Sequence, residues 1–313
     1  MEMLTDCLGV DFGFFRHGEI MDQNGTPYYD LSTIDSHCMA VSASRQEKHM
    51  TRWMWIRICL CVTIVVVASA LAGTRNQVTA QRAATHRVIA LAEPGQTIHQ
   101  PFADAALRWL QDTAVKEGFA VDYIRTTDPI DDAYLAAHDL FIQVNYPPYR
   151  WTPVAEAAFK KAMELGTIGW VGFHHASLLG KFDGFEMSPF FHEFMGNIVF
   201  KSYIKDFATG TLHVEDSAHP VLSGLPATFK IENDEWYTYD RSPRSDVHVL
   251  ATVDESSYEP PRDVKMGDHP VIWTNSHYKA RNVYFQFGHK PELFDSPTFT
   301  RLFLNAIRWG SNR

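Results

Sequence analysis

The sequence predicts an α/β domain over residues 87–313, a mainly parallel sheet flanked by helices with a β-rich C-terminal half. Three observations carry that expectation. Short apolar runs alternate with longer helical patterns from Arg87 to Phe173, glycine or proline marks each change of period, and strand-length runs dominate after Phe190. Strands alternating with helices call for right-handed crossovers, which place helices on both faces of a parallel sheet.

Arg87–Ala92 is an apolar first strand running into Glu93-Pro94-Gly95. Phe102, Ala105, Ala106, Trp109 and Leu110 then recur at helical spacing, and Gly118 stands where a C-terminal cap belongs. Ala120–Ile124 and Asp139–Val144 read as strands around a short helix from Asp131 to Ala137. Thr152-Pro153 supplies an N-cap followed by proline at the first helical position, for a helix that ends at Gly166. Gly169–Phe173 is the fourth strand, and ligands of such sheets bind at strand C-terminal ends, here Glu93-Pro94, Asn145-Tyr146 and His174-His175. Leu212–Glu215, Phe229–Ile231, Val247–Ala251, Pro270–Trp273 and Asn282–Phe287 make the β-rich half. A helix opened by Ser296-Pro297, with Phe299, Leu302, Phe303, Ala306 and Ile307 on one stripe, packs back on the sheet.

The 313-residue chain is 45% hydrophobic and 21% charged, ordinary values for a folded protein. A net charge of −9 without any Lys/Arg-rich run in the body excludes the electrostatic footprint of nucleic-acid binding. Ahead of the domain, Arg52 and Arg57 precede the apolar run Ile58–Leu71 and the small residues near Ala80, so residues 50–80 read as a signal peptide. The run is shorter than the roughly 20 residues of a comfortable membrane span, and a retained signal anchor is the alternative. Residues 1–49 are then an over-extended start or a cytoplasmic tail, which Arg45 and Lys48 would orient. The expected location is periplasmic or extracellular, with membrane contact only through an uncleaved N-terminal segment. Composition leaves a homo-oligomer open. All four cysteines, Cys7, Cys38, Cys59 and Cys61, precede the domain, which therefore holds no disulfide, thiolate cage or cysteine nucleophile.

The sharpest local feature is Gly172-Phe173-His174-His175-Ala176-Ser177, where a strand ends in a tight turn that projects imidazoles, with Gly172 easing the turn. Two histidines satisfying loop carbonyls would be the bland equivalent. Asn233-Asp234-Glu235-Trp236-Tyr237 sets carboxylates beside aromatic rings, a mix that suits sugars: rings stack on apolar sugar faces while a carboxylate takes hydroxyls or protons. Neighbouring side chains of an extended segment point oppositely, so one carboxylate at most enters the site, and Glu235 is the expected one. Phe287-Gly288-His289 repeats the strand-end pattern. Together His174, His175, Glu235 and His289 form a candidate acid–base group or divalent-metal ligand set. Trp236, Tyr237 and Tyr146 are candidate sugar contacts, with His269 and His192 as further candidates, while His219 before Pro220 reads as turn chemistry. No glycine-rich phosphate loop occurs, and Ser177 lacks the small-residue frame of a serine elbow.

Five segments resemble, in order, the ThuA-like (trehalose utilisation) family: Gly169–Ala176, Asp216–Pro226, Asp234–Tyr237, Asp268–Trp273 and Asn282–His289. The resemblance implies a flavodoxin-like, class I glutamine amidotransferase-like fold and a role in sugar catabolism, on disaccharides or oxidised 3-keto-glycosides. The parent fold carries a cysteine at the elbow. Here His174-His175 stands there, so glutaminase activity is not implied. The sequence reading is thus an exported carbohydrate-processing hydrolase or lyase working by His/Glu acid–base or metal-assisted chemistry. A non-catalytic carbohydrate-binding or interaction domain is the alternative.

Overall fold

The computed structural model describes residues 86–93 and 98–312, together with the short strands β1 (Ile20–Met21) and β2 (Pro27–Tyr28), which pair antiparallel. Contacts divide the chain into Met1–Asn76 and Gln77–Arg313. The segment read as a signal peptide, residues 50–80, lies outside the described residues. Among the described residues no helix is long and apolar enough to cross a membrane.

In the second unit, β3 (His86–Ala92), α1 (Gln100–Glu117), β4 (Phe119–Ile124), α2 (Asp132–Ala136), β5 (Leu140–Val144), α3 (Pro153–Leu165) and β6 (Gly169–Phe173) alternate as expected. The punctuation residues act as their chemistry dictates. Gly118 adopts the left-handed conformation (φ 72°) and its N–H closes α1 on the Ala114 carbonyl at 2.9 Å. The Thr152 side chain caps α3 by accepting from the Ala155 N–H, ahead of Pro153 at the first turn. There follow α4 (Pro189–Phe194), β7 (Phe200–Tyr203), β8 (Ala208–Val214), β9 (Thr228–Asp234), β10 (Tyr237–Tyr239), β11 (His248–Glu259), β12 (Pro270–Thr274), β13 (Asn282–Phe285) and α5 (Pro297–Gly310).

One sheet of nine strands runs in the order β4-β3-β5-β6-β13-β12-β11-β8-β9. From β4 to β13 the neighbours are parallel; from β13 to β9 they are antiparallel. The expectation of a mainly parallel sheet therefore holds for one half only, which four antiparallel strands extend. Antiparallel neighbours need no helical crossover, which is why helices are few after β6. β7 and β10 form a separate antiparallel pair that the sequence did not signal.

Strand periodicity splits the interior into two cores. Val88, Ala90 and Ala92 of β3, Leu140, Ile142 and Val144 of β5, Val171 and Phe173 of β6, and Val283 and Phe285 of β13 face α1 and α5. The intervening Ile89, Leu91, Phe141, Trp170 and Tyr284 face α3 and α4. Successive side chains point to opposite faces, so both-sided burial turns each strand into an unbroken apolar run.

Gly172 belongs to this packing. A Cβ added there would stand 2.1 Å from the Trp170 ring. That indole is fully buried and donates to Gln143 at 3.1 Å, so it cannot swing aside freely. Gly172→Ala is expected to lower stability by about 2 kcal/mol or more through overpacking. Urea unfolding measures it, and a loss under about 0.5 kcal/mol would show that the indole has room to yield.

Candidate functional site

β6 ends at Phe173, and the next residue, His174, has φ 44° without being glycine. Such a conformation costs on the order of 1–3 kcal/mol and persists only where its surroundings over-determine it. They do so here. The His174 carbonyl accepts from the Ser177 hydroxyl at 3.1 Å and the Tyr284 hydroxyl at 2.9 Å. Ser177 Oγ also lies 2.7 Å from the Tyr239 hydroxyl and 2.6 Å from that of Tyr284. The expectation that Gly172 eases the turn is corrected: Gly172 makes room for Trp170, and His174 itself makes the turn. Ser177 is a clasp, its hydroxyl committed on three sides.

The turn aims His174 and His175 into a buried cluster with Glu235, from the loop between β9 and β10, and His289, beyond β13. His99, the residue before α1, completes it: its ring centroid lies 3.9 Å from that of His175, 4.3 Å from His289 and 5.2 Å from His174. Proton positions follow from the partners. His174 Nδ1 is 2.9 Å from the Gln286 carbonyl, which can only accept, so Nδ1 carries the proton and Nε2 a lone pair. That Nε2 is 3.1 Å from Glu235 Oε2. His175 Nδ1 lies 3.0 Å from Glu93 Oε2, a contact that in the neutral ring places the proton on Nδ1 and the lone pair on Nε2. Both ring nitrogens of His289 are buried and make no hydrogen bond with the described residues.

A second layer holds these groups in place. Asp234, fully buried, accepts the N–H groups of Glu235 at 2.7 Å, His289 at 3.2 Å and Gly288 at 3.4 Å, tying the β9 end to the turn after β13. Asn145 donates to the Gly288 carbonyl at 2.8 Å from the end of β5. Gly288 is needed for its φ of 139°. Only one carboxylate was expected to enter the site. Glu235 is indeed the one facing the imidazoles, while Asp234 braces the backbone beneath them.

Electrostatics favours neutral rings. Burial, followed by the neighbouring histidines, holds His99 and His174 well below the ordinary imidazole range, and burial lowers His289. The positive end of α1 beside His99 acts in the same direction. Burial pushes the Glu235 carboxyl up against the pull of His289 and His175, and pushes Asp234 up to about 7 against its N–H donors.

Of the remaining sequence candidates only Tyr237 meets the cluster. Trp236 is fully buried with its indole N–H on the Ala208 carbonyl at 2.7 Å, so it offers a sugar no face. Tyr237 lies against the cluster, its ring centroid 4.2 Å from that of His174. Tyr146 packs in the core, its hydroxyl directed to the Arg150 carbonyl. His269 stands behind the site, bonded to Glu255 at 2.9 Å and to the Tyr237 carbonyl at 2.8 Å. No described contact brings His192 of α4 to the cluster. Two participants escaped the sequence reading, His99 and Phe207, whose ring meets that of His289 at 4.7 Å between centroids, and Glu93 was read only as part of a ligand-binding strand end. The signal for His99 was positional, since it follows the same strand end as Glu93 and directly precedes α1.

The trehalose-utilisation (ThuA) family model matches residues 87–310. A ThuA-like protein from Bacteroides uniformis is 30% identical with a TM-score of 0.64, the match covering 72% of this chain and 90% of that one. A ThuA-like protein from Parabacteroides merdae, 16% identical with a TM-score of 0.55 over 72% of this chain and 90% of that one, shares the fold. No protein of curated function matches the chain.

The Asp234 brace is testable. Asp234→Ala would orphan three buried N–H groups and is expected to cost about 2 kcal/mol or more, whereas Asp234→Asn keeps one acceptor oxygen and should lose clearly less. Denaturant unfolding at neutral pH compares the two. Equal, small losses would mean that the turn carrying His289 stands without the carboxylate.

Proposed function

This chain belongs to the trehalose-utilisation (ThuA) family, and on that premise we propose that it is an exported enzyme of carbohydrate catabolism. Its substrate in this reading is a disaccharide or a 3-keto-glycoside, processed by His/Glu acid–base chemistry. The observation that carries the reading is the buried contact of His174 Nε2 with Glu235 Oε2 at 3.1 Å, with His289 beside it and without hydrogen-bond partners among the described residues.

A 3-keto-glycoside suits one acid and one base. The C3 carbonyl acidifies the C2 proton, which a neutral imidazole, His289, accepts. The C1–O bond then breaks, and the departing oxygen takes a proton from Glu235, whose carboxyl burial disposes to hold one. Water adding across the resulting C1–C2 double bond gives the free 3-keto sugar and restores both groups. Ordinary glycosidases instead flank the bond with paired carboxylates, and here Asp234 is engaged with backbone N–H groups. A polar groove lined by Lys230, Glu232, Asn233, Lys290 and Glu292 adjoins the cluster in sequence at Asp234 and His289 and offers groups for sugar hydroxyls. Export rests on the pattern of residues 50–80. Burial of Trp236 weakens the binding-module alternative, which needs an open aromatic platform.

Purified protein should be offered trehalose, other disaccharides and their 3-keto derivatives, with products followed by mass spectrometry. Turnover is expected, and Glu235→Gln and His289→Ala should each lower it by about a hundredfold or more. His277→Ala, an exposed histidine away from the cluster, should leave it unchanged. Sugar binding without turnover would sink the enzymatic reading, and full activity in Glu235→Gln would sink the assigned roles.

A further inference from the structure

We infer that His99, His174, His175, His289 and Glu235 form a binding site for one divalent transition-metal ion of the zinc type. The inference rests on the cluster of the proposed function and gives it the metal-assisted form of that chemistry in place of the acid–base one, and its test needs no sugar.

Geometry comes first. His99, His174 and His175 form one group, and His99, Glu235 and His289 a second, in each of which one potential ligand atom per residue lies within 4.8 Å of the others. A tetrahedral ion with bonds of about 2.0–2.1 Å needs donors roughly 3.4 Å apart, so small ring rotations close either group around an ion. His99 belongs to both. A neutral imidazole has one lone pair and serves one ion at a time, so the two groups compete for His99 and stand as alternative ligand sets for a single ion.

The partners behind the donors point the same way. Imidazoles that bind metals characteristically donate their other N–H to a carboxylate or a backbone carbonyl, which fixes the ring and turns the lone pair inward. His175 does this through Glu93 at 3.0 Å and His174 through the Gln286 carbonyl at 2.9 Å. The inward atoms then need an electrophile. His174 Nε2, a lone pair, faces a carboxylate oxygen at 3.1 Å, and two acceptors do not rest together in a buried site unless a proton or a cation sits between them. His289 adds two buried nitrogens with no hydrogen bond to the described residues. Among those residues no lysine or arginine pairs with Glu93 or Glu235, whose ion-pair partners are His175 and His174. Imidazole and carboxylate donors without thiolate select zinc and its first-row neighbours over calcium or magnesium.

The test uses the chain carrying a tag without histidine. Metal content is measured as purified, after chelation, and after reloading with zinc alone or cobalt alone. The expected result is about one ion per chain, a rise in melting temperature on reloading, and visible d–d absorption from cobalt. His99→Ala and His289→Ala should each weaken zinc binding by at least a hundredfold, and Glu93→Gln by about 10–100-fold, the effect of losing an outer partner. His277→Ala should bind as the parent does. If the alanine variants fail to fold, reloading of the parent chain still decides. A chelated parent that takes up neither zinc nor cobalt overturns the inference, as does undiminished uptake by a folded His99→Ala/His289→Ala double variant. Stoichiometric zinc without turnover of any sugar supports this inference while removing the carbohydrate reading. Sugar turnover by a chelated chain that takes up neither zinc nor cobalt does the reverse.

Discussion

The left-handed backbone at His174 is the constraint on which the rest of the site depends. With an ordinary extended or helical conformation there, β6 would run on past the sheet edge, and its two imidazoles could not both be aimed at the same small volume. The cost of that conformation is met locally by two hydroxyls on the His174 carbonyl and by the Gln286 carbonyl on its ring. All three partners are themselves buried. The clasp explains why Ser177, Tyr239 and Tyr284 form a closed hydroxyl group in an otherwise apolar core, where unpaired hydroxyls would be expensive.

The same turn ties together the two halves of the sheet. β13 is the last parallel strand and the first with an antiparallel neighbour, and the segment after it is gripped from both sides. Asn145 holds the Gly288 carbonyl from the parallel half, and Asp234 holds the Gly288 and His289 N–H groups from the antiparallel half. His269 steadies the Tyr237 carbonyl and meets the Gln286 amide at 3.2 Å. The antiparallel half is therefore not an appendage to a ligand-binding parallel sheet. It delivers Glu235 to the histidines.

Much of this was legible in the sequence, and what was not has a physical reason. The parallel half could be read because both-sided burial makes β3, β5 and β6 plain apolar runs, and because Gly118, Thr152 and Pro153 are caps with one meaning. The antiparallel half was recognised as strands, but pairing direction leaves no local trace, and β7 and β10 are too short and too mixed to stand out. At the site, His174, His175, Glu235 and His289 were visible as strand-end polar residues. Trp236 misled because an aromatic beside a carboxylate looks alike whether its ring faces a ligand or, as here, the core around Ala208 and Tyr258. His99 was hidden because it approaches the others only through the β3–α1 crossover, a separation of 75 residues from His174 that no spacing rule reports.

A cluster of four imidazoles and two carboxylates, all nearly excluded from water, is costly for a fold to keep. Burial and neighbouring charges disfavour His99, His174 and His289 as cations, while burial disfavours Glu235 as an anion unless something positive approaches it. An arginine would settle the charge but would fill the space and block the lone pairs. A proton shared between His174 and Glu235 satisfies one contact and leaves His289 unengaged. A single cation satisfies the lone pairs of the rings and the charge of Glu235 at once, and it alone gives a use to the Glu93 and Gln286 contacts that turn the lone pairs inward. Acid–base and metal-assisted chemistry thus differ at one point in space, the 3.1 Å gap between Nε2 and Oε2, according to which electrophile occupies it.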